Sequence, residues 1–232
     1  MNLKKLLIAS ALALGLNAGA LAATEGVDYE VLPKAMPQIQ KDKVEVLEFF
    51  GYFCIHCKNL DPILLKHTKT FAKDTYFRTE HVVWDEGRDM NLARITAAVN
   101  QAGEKYAANP AIFGAIFDEK VNLSDAGVTA QWLNAQTSFN GKKVLEAYNS
   151  FSNQAQAKQM ADYTREYQVQ STPTLIVGGK YKVIFNQGFE NGMKTIDELV
   201  QKVREENGMK APKPKAAAPK SKGASIAKAA LK

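Results

Sequence analysis

The chain has 232 residues, 46% of them hydrophobic, with 30 Lys and Arg against 24 Asp and Glu for a net charge of +6. That length suffices for one sizeable core. The charge is uneven: two basic residues lie in the first 22 positions and seven lysines with no acid in 210–232, so the rest holds 21 basic and 24 acidic residues. A nucleic-acid partner could be argued only from the terminal segment, and none is expected.

Lys4-Lys5, an apolar run over 6–16 and Ala20-Leu21-Ala22 have the three-part layout of a secretory signal peptide, with cleavage expected after Ala22. The apolar run falls short of the roughly 20 residues a membrane-spanning helix needs. An uncleaved anchor is the alternative. An exported chain would meet a compartment in which disulfides persist.

A short strand is expected over 29–32, stopped by Pro33 and Pro37. The 44–50 segment is apolar on both faces except at Glu45 and Glu48, the pattern of a central buried strand. Glu45 is expected in water near the strand end, whereas Glu48 lies deep in the run and must be paired or protonated. From Cys54 to about Lys73 the period changes, with Leu60, Ile63, Leu64 and Phe71 at helical spacing, so a helix opens at Cys54 and Pro62 kinks it. Strand character returns over 76–84.

Helices follow over 91–103, 110–120, 125–135, 142–151 and 154–167, with Pro110 in a first turn and Ser124 and Asn140 as N-caps. A hairpin is expected from 174–177 and 181–185 around Gly178-Gly179. An amphipathic helix carrying Ile196, Leu199, Val200 and Val203 then stops at Asn207-Gly208. The expected order is a signal peptide (1–22), an α/β first part (23–86), an inserted helical subdomain (87–153), an α/β second part (154–208) and a disordered Lys/Ala/Pro-rich basic tail (209–232). That tail is either merely solvated or drawn to anionic surfaces.

Cys54 and Cys57 are the chain's two cysteines. A disulfide between them closes almost no chain and gains little loop entropy, so the pair points to chemistry rather than support. At a helix start, the Cys54 sulfur faces free backbone N–H groups and the positive end of the helix dipole, which favour thiolate. Cys57, one turn further in, is shielded and suited to resolve a mixed disulfide. His56, between them, would stabilise the Cys54 thiolate further. A stabilised thiolate stabilises the dithiol and makes the disulfide a stronger oxidant. Zinc needs about four ligands, and beyond the pair the chain offers only His56, His67 and His81. His67 and His81 read first as ordinary helix and strand residues. Glu48 has two readings: it accepts a proton from Cys57 as that thiol attacks, or it is simply hydrogen-bonded or in contact with water.

Leu47-Glu48-Phe49-Phe50 followed by Phe53-Cys54-Ile55-His56-Cys57 resembles the strand and active-site motif of the DsbA family of periplasmic thiol:disulfide interchange proteins. Cys57-Lys58-Asn59-Leu60-Asp61-Pro62 is similar to the thioredoxin stretch with the helix-kinking proline, and Thr172-Pro173-Thr174-Leu175 to its cis-proline loop. The resemblance spans about 29–207. It implies a thioredoxin fold with an inserted helical subdomain and a dithiol oxidase that promotes the oxidative folding of newly exported proteins. On this resemblance Cys54 and Cys57 form the redox-active disulfide, the only cofactor implied, and Thr172 with cis Pro173 pairs with the backbone of cysteine-containing substrates. A membrane quinone reductase of the DsbB type would reoxidise a monomeric enzyme. Ile55 stands where the commonest family motif has proline, Thr172 where valine is also common, and the basic tail is not a standard family feature. A reductase or isomerase is the nearest alternative; a binding module with an idle CxxC is one of a different class.

Overall fold

The computed structural model describes residues 23–210 and Pro212. The expected signal peptide and nearly all of the basic tail lie outside them. In chain order the elements are β1 (Tyr29–Val31), β2 (Val44–Phe50), α1 (Ile55–Thr68), β3 (Thr75–His81), α2 (Glu86–Ala102), α3 (Lys105–Phe117), α4 (Ala126–Ala135), α5 (Gly141–Tyr148), α6 (Phe151–Glu166), β4 (Thr174–Val177), β5 (Tyr181–Val183) and α7 (Phe189–Glu206).

The sheet runs β1-β5-β4-β2-β3. Only β2 and β3 are parallel, joined through α1; β2 pairs with β4, β4 with β5 and β5 with β1 in antiparallel fashion. As β2 alternates, Val44 and Val46 face Leu60 and Leu64 of α1 and Ile196, Leu199, Val200 and Val203 of α7. Leu47 and Phe49 face the other way, onto Val169, Ile176, Tyr163 of α6 and Tyr167 just after it. A strand covered on both faces is mainly apolar on both, which its sequence shows apart from Glu45 and Glu48. Each such fully buried side chain contributes on the order of 1.5–3 kcal/mol.

Helices α2 to α5 lie between β3 and α6 in the chain and build their own cluster around Ile95, Val99, Ile112, Phe113, Leu133 and Val144. Phe50, Tyr52 and Cys57 belong to that same cluster, so the helical block covers the end of β2 and the start of α1. The hairpin between β4 and β5 needs its two glycines: both have positive φ, +62° and +67°, and a Cβ on Gly179 would fall 2.1 Å from the Met36 carbonyl oxygen.

Several local expectations are corrected. Glu45 is not in water: it is fully buried, where Arg78 donates to it through Nε at 2.9 Å and Nη2 at 3.1 Å. Pro110 sits inside α3 rather than in its first turn, because α3 starts at Lys105, one residue past the left-handed Gly103 that ends α2, with Glu104 between them. The cap of α4 is Asp125, one residue beyond Ser124, whose carboxylate accepts from the Val128 N–H at 2.8 Å. Asn140 caps α5 as expected, accepting from Lys143 N–H at 3.1 Å. β3 ends at His81, short of Trp84, because β2 runs out at Phe50, its register partner.

Candidate active site

The register of β2 against β4 sets the site. Phe49 pairs with Thr174, so the chain leaving β2 forward and the chain entering β4 emerge at the same end of the sheet. The first runs through a tight turn in which Cys54 N–H donates to the Gly51 carbonyl at 2.9 Å. A Cβ on Gly51 would lie 2.7 Å from the Phe53 ring, so a larger residue there would displace that side chain. The second contains the cis Thr172–Pro173 bond. The Cys54 thiol and the Thr172 carbonyl meet at 3.4 Å, the thiol donating.

Both cysteines are free thiols in this structure, and their surroundings differ sharply. Cys54 is the N-cap of α1 and half-exposed; its sulfur accepts from the Cys57 N–H at 3.3 Å. A hydrogen bond from the Cys57 thiol, opposed by burial and aided by the Thr172 side chain and the backbone N–H groups of Cys57 and His56, brings its pKa down to about 5. Cys57 is 1% exposed. Burial, the bond to Cys54 and the nearby Glu48 all push its thiol upward. One sulfur is thus poised as a thiolate at the surface, and the other is held protonated within the protein.

The remaining expected residues fall in three places. Thr172 and Pro173 are half-buried and directly across from Cys54. The His56 imidazole is exposed; its contribution to Cys54 comes through its backbone N–H. Glu48 lies beneath the pair at 4% exposure. Burial first, then the like charge of Asp61, raise its pKa to about 8, against the pull of Lys105.

Asp61, Asn109, Lys105 and His81 are site residues that the sequence did not single out for a role. Asp61, one helical turn after Cys57, accepts from Asn109 Nδ2 at 2.8 Å, while its other oxygen is buried without a partner. Burial raises its carboxyl to about 6. Asn109 in turn accepts from the Tyr52 hydroxyl at 2.8 Å. Lys105, at the start of α3, stands 4.6 Å above the Phe77 ring. Burial lowers it to about 8, resisted by Glu48, Glu80 and Asp61. The i, i+4 spacing of Cys57 and Asp61 was a usable signal; nothing local pointed to Lys105.

His81 is fully buried at the end of β3. Its Nε2 accepts the Tyr52 backbone N–H at 3.0 Å and its Nδ1 donates to the Val82 carbonyl at 2.7 Å. Burial lowers its pKa to about 4, so the ring is neutral and clamps the turn that delivers Cys54. Phe53, the residue before Cys54, is fixed by the rings of His81 and Trp84, each 5.6 Å away, and by the Arg88 guanidinium at 4.7 Å. Arg88 is itself oriented by Asp89 through Nε at 2.5 Å and Nη2 at 3.0 Å.

Two sulfurs held this differently beside a cis-proline, on a helix fed by a central strand, have one shared use: exchange of a disulfide with another thiol. The fold and pair define a thioredoxin-fold dithiol oxidoreductase. Comparison with known proteins agrees. A family model described as Thioredoxin matches residues 40–198. A thiol:disulfide interchange protein DsbA of Burkholderia cepacia is 33% identical over 213 residues, covering 88% of this chain and 99% of the relative. Among solved structures, reduced DsbA1 from Neisseria meningitidis is 51% identical with a TM-score of 0.79, covering 81% of this chain and 98% of that one. Pseudomonas aeruginosa DsbA is 27% identical with a TM-score of 0.72, covering 80% and 97%. The chain belongs to the DsbA family of thiol:disulfide interchange proteins, and it is a thiol–disulfide oxidoreductase.

Proposed function

We propose that the protein is exported, loses its leader after Ala22, and works in the periplasm as an oxidase of newly exported, cysteine-containing proteins. The observation that carries this is the inequality of the two sulfurs. A low-pKa, half-exposed Cys54 opposite a buried, protonated Cys57 favours the dithiol and so makes the disulfide a ready donor.

In the working direction a substrate thiolate attacks Cys54 Sγ of the Cys54–Cys57 disulfide. The S–S bond breaks, Cys57 leaves with the electron pair, and Glu48, protonated at neutral pH, supplies a proton to it. A second substrate thiolate then attacks the substrate sulfur of the mixed disulfide and releases Cys54 as a thiolate. The substrate has lost two electrons and the enzyme has gained them. On reoxidation the steps reverse: the Cys57 thiol passes its proton to the Glu48 carboxylate, and the electrons leave to a membrane quinone reductase of the DsbB type.

Thr172 and cis Pro173 offer backbone beside Cys54 on which an extended substrate docks as an added strand, which suits broad specificity. His56, at the mouth of the pair, lends its backbone N–H to the Cys54 thiolate. The redox-active disulfide serves in place of any bound cofactor, and the enzyme acts as a monomer. The basic tail makes transient contact with anionic surfaces rather than with nucleic acid. The test is oxidation of a reduced, unfolded protein by the disulfide form of the enzyme: stoichiometric disulfide formation in the substrate is expected, and a disulfide form that leaves the substrate reduced contradicts the proposal.

A further inference from the structure

Ala23, at the expected cleavage point, is tied into the fold. The Ala23 side chain packs against the cluster formed by α7 and the sheet, and the Ala23 nitrogen donates to Glu198 Oε2 on α7. The turn that follows is equally fixed: Thr24 N–H donates to Asp28 Oδ2 at 2.9 Å and Gly26 N–H to the Tyr29 carbonyl at 2.8 Å. Tyr29 then pairs with Val183 as β1 begins.

Glu198 is half-buried and has no other hydrogen bond or ion pair among the described residues. Lys202, one helical turn on and placed to pair with it, is instead engaged with Glu206 at 3.3 Å. Beside Ala23 and Glu198 a cleft of about 310 Å³ opens, bordered by Tyr29, Leu199, Lys202 and Glu205. Among the described residues this carboxylate therefore meets one donor, the nitrogen at the expected cleavage point.

We propose that removal of the leader after Ala22 converts the Ala23 nitrogen from an amide into an ammonium that forms an ion pair with Glu198, so that maturation itself fastens the N-terminal segment onto α7. The inference rests on the signal-peptide reading. Hydrolysis adds water's hydroxyl to the Ala22 carbonyl carbon and leaves the Ala23 nitrogen as an amine. A free α-amino group has a pKa of about 7.7–8.0, and a neighbouring carboxylate favours its protonated form. An amide offers Glu198 one neutral donor; the ammonium offers three donors and a full charge.

The test compares the mature chain starting at Ala23 with the same chain N-acetylated there, which restores the amide of the precursor, in the natural sequence and in Glu198→Gln. At pH 7 and low salt, acetylation is expected to lower the Tm of the natural sequence by about 1–3 °C and to leave Glu198→Gln unmoved. Equal shifts in both backgrounds, or none in the natural sequence, overturn the ion pair. Mass spectrometry of the exported protein separates the two claims: a mature chain beginning at Ala23 supports both, and any other start overturns the proposal through the cleavage reading.

Discussion

The Cys54 thiol and the Thr172 carbonyl, 118 positions apart in the chain, lie 3.4 Å from each other. The contact follows from the pairing of Phe49 with Thr174, which makes the exit of β2 and the entrance of β4 neighbours. It places the backbone that enters β4 against the reactive sulfur. The Thr172 side chain is also one of the groups that lower the Cys54 pKa. Thr172→Val keeps the shape and removes the hydroxyl, so the Cys54 pKa should rise by up to about 1 unit, the worth of one hydrogen bond. Thiolate ultraviolet absorbance against pH measures it; an unchanged or lower value contradicts that role.

The two cysteines should fail differently. Cys54→Ser removes the exposed sulfur and should abolish exchange. Cys57→Ser leaves Cys54 able to be captured but removes the buried sulfur that resolves it, so mixed disulfides with reduced substrates should accumulate. Non-reducing gels with mass spectrometry read out both variants, and equal trapping by the two would refute the assigned order.

Glu48 gives a pH dependence with a definite sign. Its carboxyl goes from 4.5 to about 8 on burial, so the folded protein binds a proton there that the unfolded chain releases. The stability tied to this proton is fully present below about pH 4.5 and is lost as pH rises toward 8. Glu48→Gln has no such titration, and its stability relative to the natural sequence should improve by up to about 4 kcal/mol between pH 5 and pH 9. Denaturant unfolding at the two pH values checks this. A constant difference would mean that Glu48 is already ionised in the fold.

His81 has the opposite sign. Its pKa goes from 6.5 to about 4 on burial, so the stability it contributes is present above about pH 6.5 and lost as pH falls toward 4, a change of up to about 3 kcal/mol. His81→Ala leaves the Tyr52 N–H unpaired and a void among Phe50, Tyr52 and Phe53. A loss of about 2–4 kcal/mol is expected at pH 7. Denaturant unfolding of the dithiol form measures it, and a loss below about 1 kcal/mol would show that the turn does not depend on the ring.

What the sequence revealed about the site was local. The 44–50 run, the helix opening at Cys54 and the Gly178-Gly179 hairpin are written in apolar period and turn chemistry, and the fold reproduces them. Pro173 became visible only through resemblance, because nothing within a few residues of it distinguishes it from another X-Pro pair. Glu45 was misjudged, and the clamp that His81, a strand residue as expected, makes on the turn went unseen, for one reason: their partners, Arg78 on β3 and Tyr52 in the turn after β2, are set by sheet pairing. Lys105 approaches the buried carboxyls from the helical block, and its place depends on how that block packs over β3.

The central claim is that the unequal environments of Cys54 and Cys57 make their disulfide an oxidant. The equilibrium redox potential of the pair, measured against glutathione with the protein's own fluorescence or by mass spectrometry of trapped thiols, tests this most directly. The account predicts a value well above the roughly −270 mV of thioredoxin; a potential at or below that value would contradict it.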